Sequence, residues 1–65
     1  MKVICKNFET GTFTTKYTPF TPKQYLSINF AGWGFYKVVK LSALRYEVID
    51  RFDGSTAYEV DFSYS

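Results

Sequence analysis

The sequence predicts a small α+β domain, an antiparallel sheet of about five strands carrying one short helix in the order β-β-α-β-β-β. Three observations predict it. Aromatic and β-branched residues fall in short runs separated by Gly-containing turns, a helix-start signature stands in the middle, and 65 residues bound the chain to one domain, residues 1–65.

The first predicted element is a hairpin. Val3 to Phe8 is rich in strand formers, Glu9-Thr10-Gly11 is a turn, and Thr12 to Thr18 returns. A three-residue loop with Gly last matches a type I turn closed by a left-handed residue. That register pairs Val3 with Tyr17, Cys5 with Thr15 and Asn7 with Phe13. It puts Val3, Cys5, Phe13 and Tyr17 on a core face and Lys2, Lys6 and Lys16 on the other.

The middle segment predicts a helix from Pro22 to about Ala31, stopped by Gly32. Thr21 caps it, Pro22 suits the first helical position, and Gln24 completes a Thr-x-x-Gln capping box, with Phe20 and Tyr25 as the staple pair. Leu26 and Phe30 would face the sheet, and Ile28 would stand off the buried stripe. Leu26, Ile28 and Phe30 also alternate as a strand would. On that alternative the chain is an all-β small barrel of the SH3 or OB type.

The remainder predicts a three-stranded meander: Phe35–Leu41, Leu44–Arg51 and Thr56–Tyr64. Asp53-Gly54 marks the last turn. A Phe52-Asp53-Gly54 loop pairs Val48 with Tyr58, Tyr46 with Val60 and Leu44 with Phe62, and sets Arg45 opposite Asp61 outside. A helix over residues 43–52 is the rival reading, and the Tyr-Glu-Val-Ile stretch favours strand.

Composition excludes more than it assigns. There is no His and a single cysteine, Cys5. An intrachain disulfide is therefore excluded, and so is a zinc site, which needs about four ligands. No cofactor is expected. A lone thiol suits a reducing compartment. No long apolar run follows Met1-Lys2-Val3-Ile4-Cys5-Lys6 as a signal peptide would require, and no span of roughly 20 apolar residues exists. The expectation is a cytoplasmic protein with no membrane partner. A chain this short buries only about 60% of its unfolded surface, so a homodimer is a natural support.

Fourteen residues are aromatic, more ring area than so small a core readily hides. Phe13, Tyr17, Phe30, Tyr46, Tyr58 and Phe62 are the expected core rings. Of the other eight, Phe8, Trp33, Tyr36, Phe52 and Tyr64 are the five among which a working surface is expected. Charge is uneven too: residues 1–45 hold seven Lys/Arg and one acid, Glu9, while residues 46–65 hold five acids and Arg51.

No catalytic constellation is present, and the protein is not expected to be an enzyme. Cys5 lies on the predicted core face, and the Glu59 and Asp61 carboxylates lie on the outer face of a strand, where solvation is their ordinary role. The expected function is a non-catalytic protein-binding module that occupies a surface on a larger intracellular protein. Trp33, Tyr36, Phe52 and Tyr64 would supply contact area, and Glu47, Glu59 and Asp61 a row of charge that imitates nucleic acid. In type, such a chain resembles the small inhibitors and host-takeover factors of bacteriophages, with anti-CRISPR proteins as one example.

Ala31-Gly32-Trp33-Gly34-Phe35-Tyr36-Lys37 resembles the Gly-aromatic-Gly-Phe stretch on the nucleic-acid face of cold-shock domains. That resemblance implies the alternative function, single-stranded nucleic-acid binding. Trp33, Phe35 and Tyr36 would stack on bases, with Lys37, Lys40, Lys2, Lys6 and Lys16 on phosphates. The chain lacks that family's preceding Trp-Phe strand and its Phe-x-His strand. A third reading is a structural subunit of a homo-oligomer.

Overall fold

The computed structural model describes residues 1–30 and 34–64. Strands β1 (Lys2–Asn7) and β2 (Thr12–Tyr17) precede helix α1 (Pro22–Asn29). Strands β3 (Tyr36–Lys40), β4 (Arg45–Asp50) and β5 (Thr56–Ser63) follow it. All five strands join one antiparallel sheet in the order β2-β1-β5-β4-β3. The core of the segment 43–52 is strand β4 and not a helix, as its Tyr-Glu-Val-Ile stretch favoured.

The helix starts as its sequence dictates. Thr21 Oγ1 accepts from the Gln24 backbone N–H at 3.3 Å, and Gln24 Oε1 accepts from the Thr21 N–H at 3.2 Å. Pro22 opens the first turn, where its missing N–H costs nothing. The helix closes at Phe30, whose N–H bonds the Leu26 carbonyl. The expected stop at Gly32 lies outside the described residues.

Because β2 and β3 occupy opposite edges, the segment between them must cross the whole sheet. Helix α1 belongs to that crossing, and it buries Leu26 against Val3, Val48, Val60 and Phe62. Ile28 stays exposed, off the buried stripe. Two ring clusters flank this centre. Tyr25 and Tyr46 each meet Phe62 edge-on with centroids 5.7 Å apart. Phe30, Tyr36 and Tyr58 form the other, at 5.2 to 6.0 Å. Val3, Val48 and Val60 are fully buried, and each such side chain contributes about 1.5–3 kcal/mol.

The β4–β5 ladder holds the expected register: Val48 pairs with Tyr58, Tyr46 with Val60, and Arg45 with Asp61. The expected three-residue loop does not form. Instead Gly54 N–H bonds the Asp50 carbonyl, closing a four-residue loop over residues 51–54, and Ile49 pairs with Thr56. An irregularity between Val48 and Ile49, opposite Ala57, then restores the register.

The β1–β2 hairpin differs from expectation by one residue. Gly11 N–H bonds the Asn7 carbonyl, again closing a four-residue loop. No bulge follows, so Lys2 pairs with Tyr17, Ile4 with Thr15 and Lys6 with Phe13. With a side-chain period of two, the slip transfers the whole of β2 to the opposite face. Phe13 and Tyr17 are therefore not core residues; they are 67% and 71% exposed. Lys16 moves to the helix side, opposite Val3.

Candidate interaction surface

Helix α1 covers the sheet face that carries Val3, Val48, Val60 and Phe62. Strand alternation sends Lys2, Ile4, Lys6, Phe13, Thr15, Tyr17, Arg45, Glu47, Glu59 and Asp61 to the other face. That outer face has an acidic centre and a ring-bearing side.

At the centre, Glu47 stands directly across from Glu59, and Asp61 lies two residues along β5. The expected row of three carboxylates is therefore together on one face. Arg45 sits among them. Its Nε donates to Asp61 Oδ1 at 2.9 Å and lies 3.9 Å from Glu59 Oε1. The hydrogen bond to Asp61, and then the charges of Asp61 and Glu59, raise the Arg45 pKa above its ordinary value.

Lys6 is the cross-strand neighbour of Glu59 on the β1 side, yet its ammonium turns towards rings. Its Nζ lies 4.8 Å from the Phe8 ring centre and 5.6 Å from that of Phe13. Among the described residues the ion pairs are those of Arg45 alone. One guanidinium thus pairs with two of the three carboxylates, Asp61 and Glu59.

The other expected contact residues are dispersed. Tyr36 is half-buried in the ring cluster with Phe30 and Tyr58, so it belongs to the core and not to a working surface. Phe52 is 82% exposed at the tip of the β4–β5 loop and stacks on exposed Phe35, centroids 6.3 Å apart. The Arg51 N–H bonds the Phe35 carbonyl at 3.1 Å and holds the two segments together. Tyr64 is exposed beside a shallow groove lined by Met1, Pro19, Phe20, Thr21 and Pro22. Trp33 lies outside the described residues.

Among the described residues, the nucleic-acid set is spread over both sheet faces. Lys37 pairs with Ile49 and Lys40 with Tyr46, an odd spacing that sends the two lysines to opposite faces of β3. Lys2 and Lys6 share the outer face, whereas Lys16 is on the helix side. Phe35 stacks on Phe52 while Tyr36 packs inward. Among the described residues, these ring and cation positions trace no single path.

Sequence reasoning missed Phe13 and Tyr17 as surface residues. The available signal was Asn7. Its Oδ1 accepts from the Glu9 N–H at 2.9 Å, which begins the turn one residue earlier than Glu9-Thr10-Gly11 implies.

Cys5 is half-buried, and burial pushes its thiol pKa up, with nearby Lys16 opposing in part. A thiol so placed is a poor nucleophile at neutral pH. No described helix is long and apolar enough to cross a membrane. No group of three or more His, Cys, Asp or Glu among the described residues is placed to hold a metal ion. Comparison with protein-family models, with curated proteins and with solved structures finds no match to this chain.

Proposed function

We propose that this protein is a non-catalytic binding module that presents Glu47, Glu59 and Asp61 to a basic groove on a larger cytoplasmic protein, in the manner of an inhibitor or host-takeover factor. One observation carries the reading: Glu47 faces Glu59 directly on an uncovered sheet face while the adjacent Lys6 turns away to rings. Like charges directly opposite on a ladder cost stability. That cost, offset only in part by Arg45 beside Glu59, fits a surface kept for a partner. The frame we infer behind it is α+β, and the strand order, with β2 and β3 at its two ends, supports that frame.

Glu47→Lys separates binding from folding. It replaces a like-charge pair by an opposite-charge pair and should raise stability by roughly 0.2–1 kcal/mol. The same change should remove the partner recovered by affinity purification, and wild-type binding should weaken steeply with salt. Recovery of the same partner by wild type and Glu47→Lys, with equal salt dependence, would sink the reading.

A further inference from the structure

We propose that β2 pairs with β2 of a second copy about a two-fold axis through Thr15, joining two five-stranded sheets into one. The backbone sets the first condition. Thr18 N–H bonds the Met1 carbonyl at 2.9 Å, and the Met1 amino group bonds the Thr18 carbonyl at 2.8 Å. Antiparallel ladders alternate such reciprocal pairs with pairs whose groups point away. Thr12, Thr14 and Lys16 therefore bond β1. Phe13, Thr15 and Tyr17 direct their N–H and C=O off the free edge.

This edge is weakly guarded. All six residues of β2 are exposed, no register shift interrupts its ladder with β1, and Lys16 is its one charge. The opposite edge strand, β3, places Lys37 and Lys40 within five residues. Lysines on an edge are a standard defence against strand addition. Of the two edges, β2 is the one left to pair.

A two-fold axis requires a self-complementary strand. Only registers that match outward-pointing groups with each other are allowed, so the axis passes through a residue. An axis through Lys16 sets two ammonium groups directly opposite, which is unfavourable. An axis through Thr14 leaves Tyr17 facing Gly11. With the axis at Thr15, Phe13 faces Tyr17 of the second copy twice, and Lys16 faces neutral Thr14. Each ring pair lies on the outer face, with Lys6 already 5.6 Å from the Phe13 ring centre. Three reciprocal pairs supply main-chain hydrogen bonds, and charge opposes nowhere.

Area bounds the strength. Each ring exposes about two-thirds of roughly 200 Å², so the two copies offer roughly 540 Å² of ring surface. That falls below the roughly 1,200 Å² of a standard stable interface. The dimer is a reversible one with a dissociation constant on the order of 100 µM.

Sedimentation equilibrium from about 10 µM to about 1 mM reads this range. Wild type should pass from monomer to dimer, and the Phe13, Thr15 and Tyr17 amides should gain exchange protection as concentration rises. Thr15→Lys, which sets two cations on the axis, and Thr15→Pro, which removes the outward N–H, should both stay monomeric. Thr15→Lys decides the matter if the proline variant does not fold. A wild type that is monomeric throughout, a Thr15→Lys variant that still dimerises, or protection gained on β3 in place of β2 would each overturn the proposal.

Discussion

The β1–β2 and β4–β5 hairpins turn on nearly the same loop and deliver their strands to opposite outcomes. Asn7-Phe8-Glu9-Thr10-Gly11-Thr12 and Asp50-Arg51-Phe52-Asp53-Gly54-Ser55 share a pattern: an Asn or Asp, a Thr or Asp three residues on, then Gly. Asn7 and Asp50 each accept from the N–H two residues ahead, at 2.9 and 2.7 Å. Gly11 and Gly54 adopt φ of 72° and 75°, and each closes the loop onto the residue four before it. The irregularity opposite Ala57 corrects the register of β5; nothing corrects β2. Local turn chemistry thus sets where a strand begins. The neighbours across the sheet decide which face it buries. Strand β5 lies between β1 and β4, and its Val60 and Phe62 are buried, whereas β2 is an edge.

The largest effect that could break this comparison comes from ring truncation. Phe62→Ala should cost about 3–5 kcal/mol in urea unfolding, because it empties the site between Tyr25 and Tyr46. Phe13→Ala should cost no more than about 0.5 kcal/mol. Similar losses at both positions would mean that Phe13 is buried and the β2 register is wrong.

Glycine replacement tests whether the loops are equivalent. A Cβ at Gly11 or Gly54 meets nothing within 4 Å, so only the left-handed backbone resists it. Gly11→Ala and Gly54→Ala should each cost about 1–2 kcal/mol and agree within about 0.5 kcal/mol. Unequal losses would show that the two turns are not the same.

Deleting Ala57 probes the correction itself. Ile49–Thr56 would then run directly into Val48–Tyr58, leaving the core pairing intact. The variant should fold cooperatively and lose about 1 kcal/mol, largely from the Phe8 N–H bond to the Ala57 carbonyl. Loss of cooperative folding would mean that the irregularity supports more than register.

The smallest expected difference is in acid. The Ser55 hydroxyl, and then its backbone N–H, hold the Asp53 carboxyl below its ordinary pKa. A depressed carboxyl contributes stability fully above its unfolded pKa, and loses it as pH falls through the folded value. Asp53→Asn should flatten that acid limb slightly. Thr10, at the equivalent place in the first loop, has nothing to titrate, so Thr10→Ala should leave the limb unchanged.

Much of the fold was legible because its signals are local. Thr21, Pro22 and Gln24 specify a helix start through groups within one turn of each other, and all three bonds or placements form. The Val48–Tyr58 and Tyr46–Val60 pairs were legible because a one-residue slip would have buried Arg45 and Glu47. The β2 register was not: one face carries Phe13, Thr15 and Tyr17, the other Thr12, Thr14 and Lys16, and on an edge strand exposed at all six positions burial does not choose between them. Tyr36 was misplaced for a related reason: its ring finds Phe30 and Tyr58 only once the helix crosses the sheet. Glu47, Glu59 and Asp61 share the outer face as their alternation implied; the turning of Lys6 towards Phe8 and Phe13 was not written in any spacing.

By itself, the sequence determined the strands, the capped helix, which Gly-bearing segments turn and a chain with no histidine and one thiol, since each rests on short-range chemistry. The tertiary structure decided which face β2 presents, which of the rings are core, and that Glu59 and Asp61 share one arginine. Those outcomes depend on which strands become neighbours, and β1 meets β5 across more than fifty residues of chain. A pairing that distant leaves no trace in any local pattern, yet it fixes what every strand must bury.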